Sequence, residues 1–179
     1  MRIAVFLFSA AFLSTSAAAD FDFENSPPQL NSEGTLDLGS ASSIVSVSIS
    51  DTDSDDFGDG RLLTLATKGK KVTYPFDAAY GMFHLYVVSL SGFRSPEVVL
   101  VHAEGRGTSA STWVLDVLTL ADDKIVSEYK KDVASFFGSG ELWWYSISFT
   151  DAAENTATVD LRLGLDHSPL THDSLEIPG

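Results

Sequence analysis

Apolar and polar residues alternate at every second position along much of this chain, and no window sustains a helical apolar period. Between Ser43 and Ser50, Val45, Val47 and Ile49 alternate with Ser46, Ser48 and Ser50, which predicts a strand with one buried face. Arg61 to Thr67 and Lys71 to Phe76 read as the next two strands, joined by a turn at Lys68-Gly69-Lys70. The central runs differ. Met82 to Leu90, Val98 to Ala103 and Trp113 to Leu120 are apolar at both parities, the mark of strands covered on both faces. Ser91 to Pro96 and Glu104 to Ala110, rich in Gly and Ser, supply the turns between them. Ile125 to Tyr129, Leu142 to Phe149 and Thr156 to Leu165 continue the series, with turns at Asp122-Asp123 and at Asp151 to Asn155. Lys131 to Phe137 reads as one helical turn or an irregular crossing. The fold class implied by this pattern is all-β: a single-domain, mostly antiparallel sandwich or small barrel of about nine strands.

The ends read differently from the middle. Residues 1–19 place Arg2 before a run of Ile, Val, Phe, Leu and Ala, then Ala17-Ala18-Ala19, the order of a secretory signal peptide cleaved near Ala19. That apolar run falls short of the roughly 20 residues a membrane helix needs, and no later run is apolar enough to span. Residues 20–39, with Pro27-Pro28, read as an extended lead-in whose Phe21 and Phe23 dock on the domain. Residues 40–165 form the β-rich domain, and residues 166–179 a loose tail.

Charge and cysteine usage narrow the setting. The formal charge is −14, and loss of Arg2 with the leader takes it to −15. Such a surface repels nucleic acid and anionic lipid, so a basic partner, a cation or plain solubility is left to explain it. The chain has no cysteine, which removes disulfides, thiolate metal sites and cysteine nucleophiles. An exported chain without disulfides leans on its core, so a periplasmic or secreted monomer is the expectation.

Three constellations carry candidate chemistry. Asp51, Asp53, Asp55 and Asp59 occupy relative positions 1, 3, 5 and 9 of a short loop between two strands, a spacing that brings carboxylate oxygens toward one centre. With its flanking runs, over residues 43–67, this loop resembles the calcium loops of integrin-type (FG-GAP) β-propeller blades, and the resemblance implies a structural calcium ion. The alternative is a solvated acidic hairpin loop. Second, if Leu90 faces Pro96 in the central hairpin, His84 faces His102 with Cβ atoms about 5 Å apart. With Asp116 on the next strand, that arrangement would make a two-histidine, one-carboxylate site for a metal-dependent hydrolase, and buried hydrogen-bonded histidines are the alternative. Third, Trp143, Tyr145, Ile147 and Phe149 share one parity and Trp144 the other, beside Ser146 and Ser148. Trp144 is then either a flat apolar plate for a sugar ring or a partner's side chain, or packed under the lead-in or tail. Arg106, in a Gly-Arg-Gly turn, is a candidate anion grip beside it. No nucleophile elbow, phosphate loop or dinucleotide fingerprint appears. The residues therefore favour a module that binds an unknown protein or glycan. A metal-dependent hydrolase and a structural envelope protein are the alternatives.

Overall fold

A computed structural model describes residues 21–23, 25–40, 42–52, 59–88, 96–105, 110–137, 142–153, 156–163 and 168–176. Residues 1–20, Asp53, Asp55 and Arg106 lie outside these residues. The described chain is all-β and antiparallel. Its strands are β1 (Phe21–Asp22), β2 (Gly34–Asp37), β3 (Ile44–Asp51), β4 (Gly60–Thr67), β5 (Lys71–Asp77), β6 (Phe83–Val88), β7 (Glu97–Glu104), β8 (Ala110–Ala121), β9 (Lys124–Phe137), β10 (Leu142–Ala153), β11 (Thr156–Leu163) and β12 (Ser168–Glu176). The count exceeds the nine or so that the pattern predicts because the short β1 and β2 are added and residues 168–176 pair with β11 as β12 instead of forming a loose tail. Residues 131–137 continue β9 as extended chain rather than a helical turn.

Two sheets result. The larger runs β12-β11-β10-β9-β8-β7-β6, with β1 added to β10, and the smaller runs β2-β3-β4-β5. The three central runs become β6, β7 and β8, side by side. Every residue of β7 from Glu97 to Ala103 is buried, as strands covered on both faces require. One face of the trio, with Leu85, Leu100 and Leu118, packs on Val47, Leu63 and Leu65 of the small sheet. The other face, with Tyr86, Val99 and Leu115, packs on Ile147, Phe149, Val159 and Leu161 of the same large sheet, which curls over its own inner side. Each of these side chains contributes on the order of 1.5–3 kcal/mol by leaving water.

Two local features shape the clefts. β8 and β9 meet at a two-residue turn, Asp122 and Asp123, both with left-handed φ (46° and 63°), which matches the twist of a tight hairpin. The second feature is a change of partner. β10 pairs with β9 only at Leu142, Trp143 and Trp144, then parts from it and pairs with β11. Beside Ser148 and Phe149, β1 takes the vacated edge, and the Phe23 amide donates to the Ile147 carbonyl at 3.0 Å. The same lead-in then reaches β6. Leu30 and Leu85 exchange backbone hydrogen bonds, and the Gln29 side-chain oxygen accepts from the Val87 amide. Residues 21–23 and 25–30 thus link β10 to β6 as a strap.

Candidate functional site

An aromatic cleft of about 350 Å³ opens where β10 leaves β9. Trp144, the last residue of β10 paired to β9, stands on its wall. Phe23 comes from the strap, His84 from β6, Trp113 from β8, and Tyr145 from β10. His84 and Trp113 stack across the intervening β7, with ring centroids 5.7 Å apart and planes 10° from parallel. Phe23 in turn lies 4.5 Å from Tyr86. Trp144 is half-buried, so it neither stands free on an outer face nor disappears into the core. Phe23 of the lead-in lines the same cleft. Trp113 and Phe23 are the residues that sequence reasoning missed. Trp113 had only its place at the start of an apolar run as a signal, and Phe23 was expected to dock on the domain but not at this cleft.

The two histidines do not meet. In the observed register Phe83 faces His102 and His84 faces Val101, one residue from the pairing expected. A one-residue shift sends alternate side chains to opposite faces. His84 therefore joins the aromatic cleft, while His102 points to the small-sheet side, in contact with Phe76 at 5.4 Å between ring centroids. The premise of a metal shared by His84 and His102 is corrected by that register. Asp116 lies on the same face as His102, fully buried, where its carboxylate accepts from the Tyr74 hydroxyl at 2.6 Å and from Ser127.

The acidic loop is seen at its two ends. Asp51 pairs with the Arg61 guanidinium at 2.9 Å. Asp59 is buried, and its carboxylate accepts from the Tyr80 amide at 3.1 Å, capping a turn in which Tyr80 has a left-handed φ of 58°. The first and last of the four aspartates are thus engaged by the protein itself. Among the described residues no group of three or more potential metal ligands gathers.

A second, polar cleft of about 460 Å³ lies between β5 and the β7–β9 wall. Arg61, Tyr74, Phe76, Asp77, His102, Glu104 and Lys130 are on its lining. Lys130 reaches Glu104 at 3.1 Å. The His102 ring is anchored by Nδ1, 2.6 Å from the Asp77 carbonyl oxygen. That bond assigns the proton to Nδ1 and leaves Nε2 as an acceptor.

Burial holds both His84 and His102 below the ordinary value of 6.5. For His102, burial outweighs the opposing pull of the Asp77 carbonyl and of Glu104. Linkage fixes the sign of the effect on stability. The unfolded chain takes up protons near 6.5 that the fold refuses, so this stability is complete above that value and lost as pH falls below it. The urea midpoint is expected to drop between about pH 7 and about pH 5. The drop should be shallower in His102→Gln, and an unchanged slope in that variant would remove His102 from the account.

Comparison of the chain with family models, curated proteins and solved structures finds no match. The two clefts therefore carry the functional reading.

Proposed function

We propose that this chain is an exported binding module, and that it seats a ring-shaped ligand with an apolar face in the aromatic cleft. In this reading the large sheet acts as a partly closed barrel and the small sheet braces its outer wall. The observation that carries the proposal is convergence. Phe23, His84, Trp113, Trp144 and Tyr145 come from distant parts of the sequence to one concave site. Aromatic plates around a cleft suit the C–H faces of a sugar ring or a flat partner side chain. Export is supported by the Arg-apolar-small order of residues 1–19. The chemistry of the cleft is recognition. Among the described residues it gathers no paired carboxylates and no nucleophile beside a base.

Intrinsic tryptophan fluorescence, titrated with a panel of soluble glycans, tests this. At least one glycan should shift or quench the emission, and Trp144→Ala should weaken that binding tenfold or more while the urea midpoint changes little. A panel that leaves emission untouched, or binding that survives Trp144→Ala and His84→Ala unchanged, would retire the proposal.

A further inference from the structure

The polar cleft holds an unfinished hydrogen-bond set. His102 is 2 % exposed, and its Nε2 has no hydrogen-bond partner among the described residues. The Glu104 carboxylate, also an acceptor, lies 3.8 Å from it. Two acceptors face each other, and the Lys130 ammonium donates to Glu104 at 3.1 Å while His102 Nε2 is left without a partner among the described residues. An orphaned buried acceptor is a standing cost in the fold, and a ligand that brings N–H groups relieves it.

The charges around the cleft say which donor fits. Arg61 and Lys130 are its cations, each already beside a carboxylate, Asp51 and Glu104. Asp77 on the lining and Asp116 behind Tyr74 add negative charge that these cations do not balance. The whole chain is also strongly acidic, at −14. A neutral hydroxyl would satisfy Nε2 but gain nothing from this field, and an anion would be repelled by it. An alkylammonium group offers three N–H donors and a positive charge together. Pro75 and Phe76 give its carbon stem an apolar wall.

We infer that the cleft between β5 and the β7–β9 wall is a binding site for a primary alkylamine. Its ammonium group donates to His102 Nε2 and to the Glu104 carboxylate. Lys130 occupies part of that position, as a tethered ammonium already resting on Glu104. This site is separate from the aromatic cleft, because His84 and His102 lie on opposite faces of the β6–β8 wall.

The test uses the full chain and 1,5-diaminopentane, with 1,5-pentanediol as the neutral control of equal length. Calorimetry should show saturable binding of the diamine and none of the diol. The His102 Nε2 signal in a long-range proton–nitrogen spectrum should move on diamine addition. Glu104→Gln, a half-exposed position, should weaken binding at least fivefold. Lys130→Ala, which removes the competing internal ammonium, should tighten it. Melting curves of both variants guard against misfolding. The inference is overturned if the diamine gives neither heat nor movement of the Nε2 signal, as expected if an ordered water alone satisfies His102. Equal binding of the diol, or diamine binding indifferent to both variants, overturns it as well.

Discussion

Replacing Phe149 by alanine is expected to cost about 3–5 kcal/mol, a large share of the stability of a domain this size. Phe149 is 1 % exposed and sits on β10, where the large sheet turns its inner side onto itself. Its ring fills space among Val159 and Leu161 of β11 and the β6–β8 face, and rigid strands on every side leave little room for collapse. Urea unfolding of the variant measures the loss. A cost below about 1 kcal/mol would mean that the inner face is loosely filled, and the curled arrangement of the large sheet would need revision.

The second large effect is electrostatic. Tyr74→Phe removes the donor that the buried Asp116 carboxylate holds at 2.6 Å, across from one sheet to the other. A hydrogen bond to a charged acceptor is worth about 1.5–3 kcal/mol, and the variant should lose that amount near neutral pH. The same contact acts in alkali. Burial, then the bond to Asp116, pushes the Tyr74 hydroxyl well above its ordinary value of 10.0. A group raised in the fold contributes stability in full below the unfolded value and loses it as pH climbs toward the folded one. Wild type should therefore weaken above about pH 10, and Tyr74→Phe should weaken less steeply there. An identical alkaline slope in both proteins would show that the hydroxyl does not carry this linkage.

The sequence made the strands legible and left their alignment open, and β6 and β7 show why. Along β3 and β10 one parity is apolar and the other is rich in serine, so a slip by one residue would drown the core face, and the pattern alone sets the alignment. Along β6 and β7 both parities are apolar, because both faces are covered, and a slip costs the pattern nothing. The expected meeting of His84 and His102 rested on that unspecified alignment, and it fell with it. Trp144 was legible as an odd aromatic residue beside serines. Its neighbours Phe23 and Trp113 were not: Trp113 reaches it across Ala134 of β9, and Phe23 arrives on the edge of β10 that β9 leaves, and no local pattern encodes such distant pairings. The polar cleft was hidden for a similar reason. Tyr74 and Lys130, on β5 and β9, read locally as ordinary strand residues, and His102 on β7 drew notice only for a pairing with His84 that the register does not make.

The strap from β10 to β6 bears on how the molecule is made. Residue 21 leaves the ribosome, or any export pore, long before residue 149, yet each is the other's backbone neighbour. The earliest stretch to emerge must wait, unmatched, until nearly the whole polypeptide has appeared. Joining such remote pieces carries a loop-closure cost that local hairpins avoid, and the seam beside β10 cannot close before β10 itself has emerged.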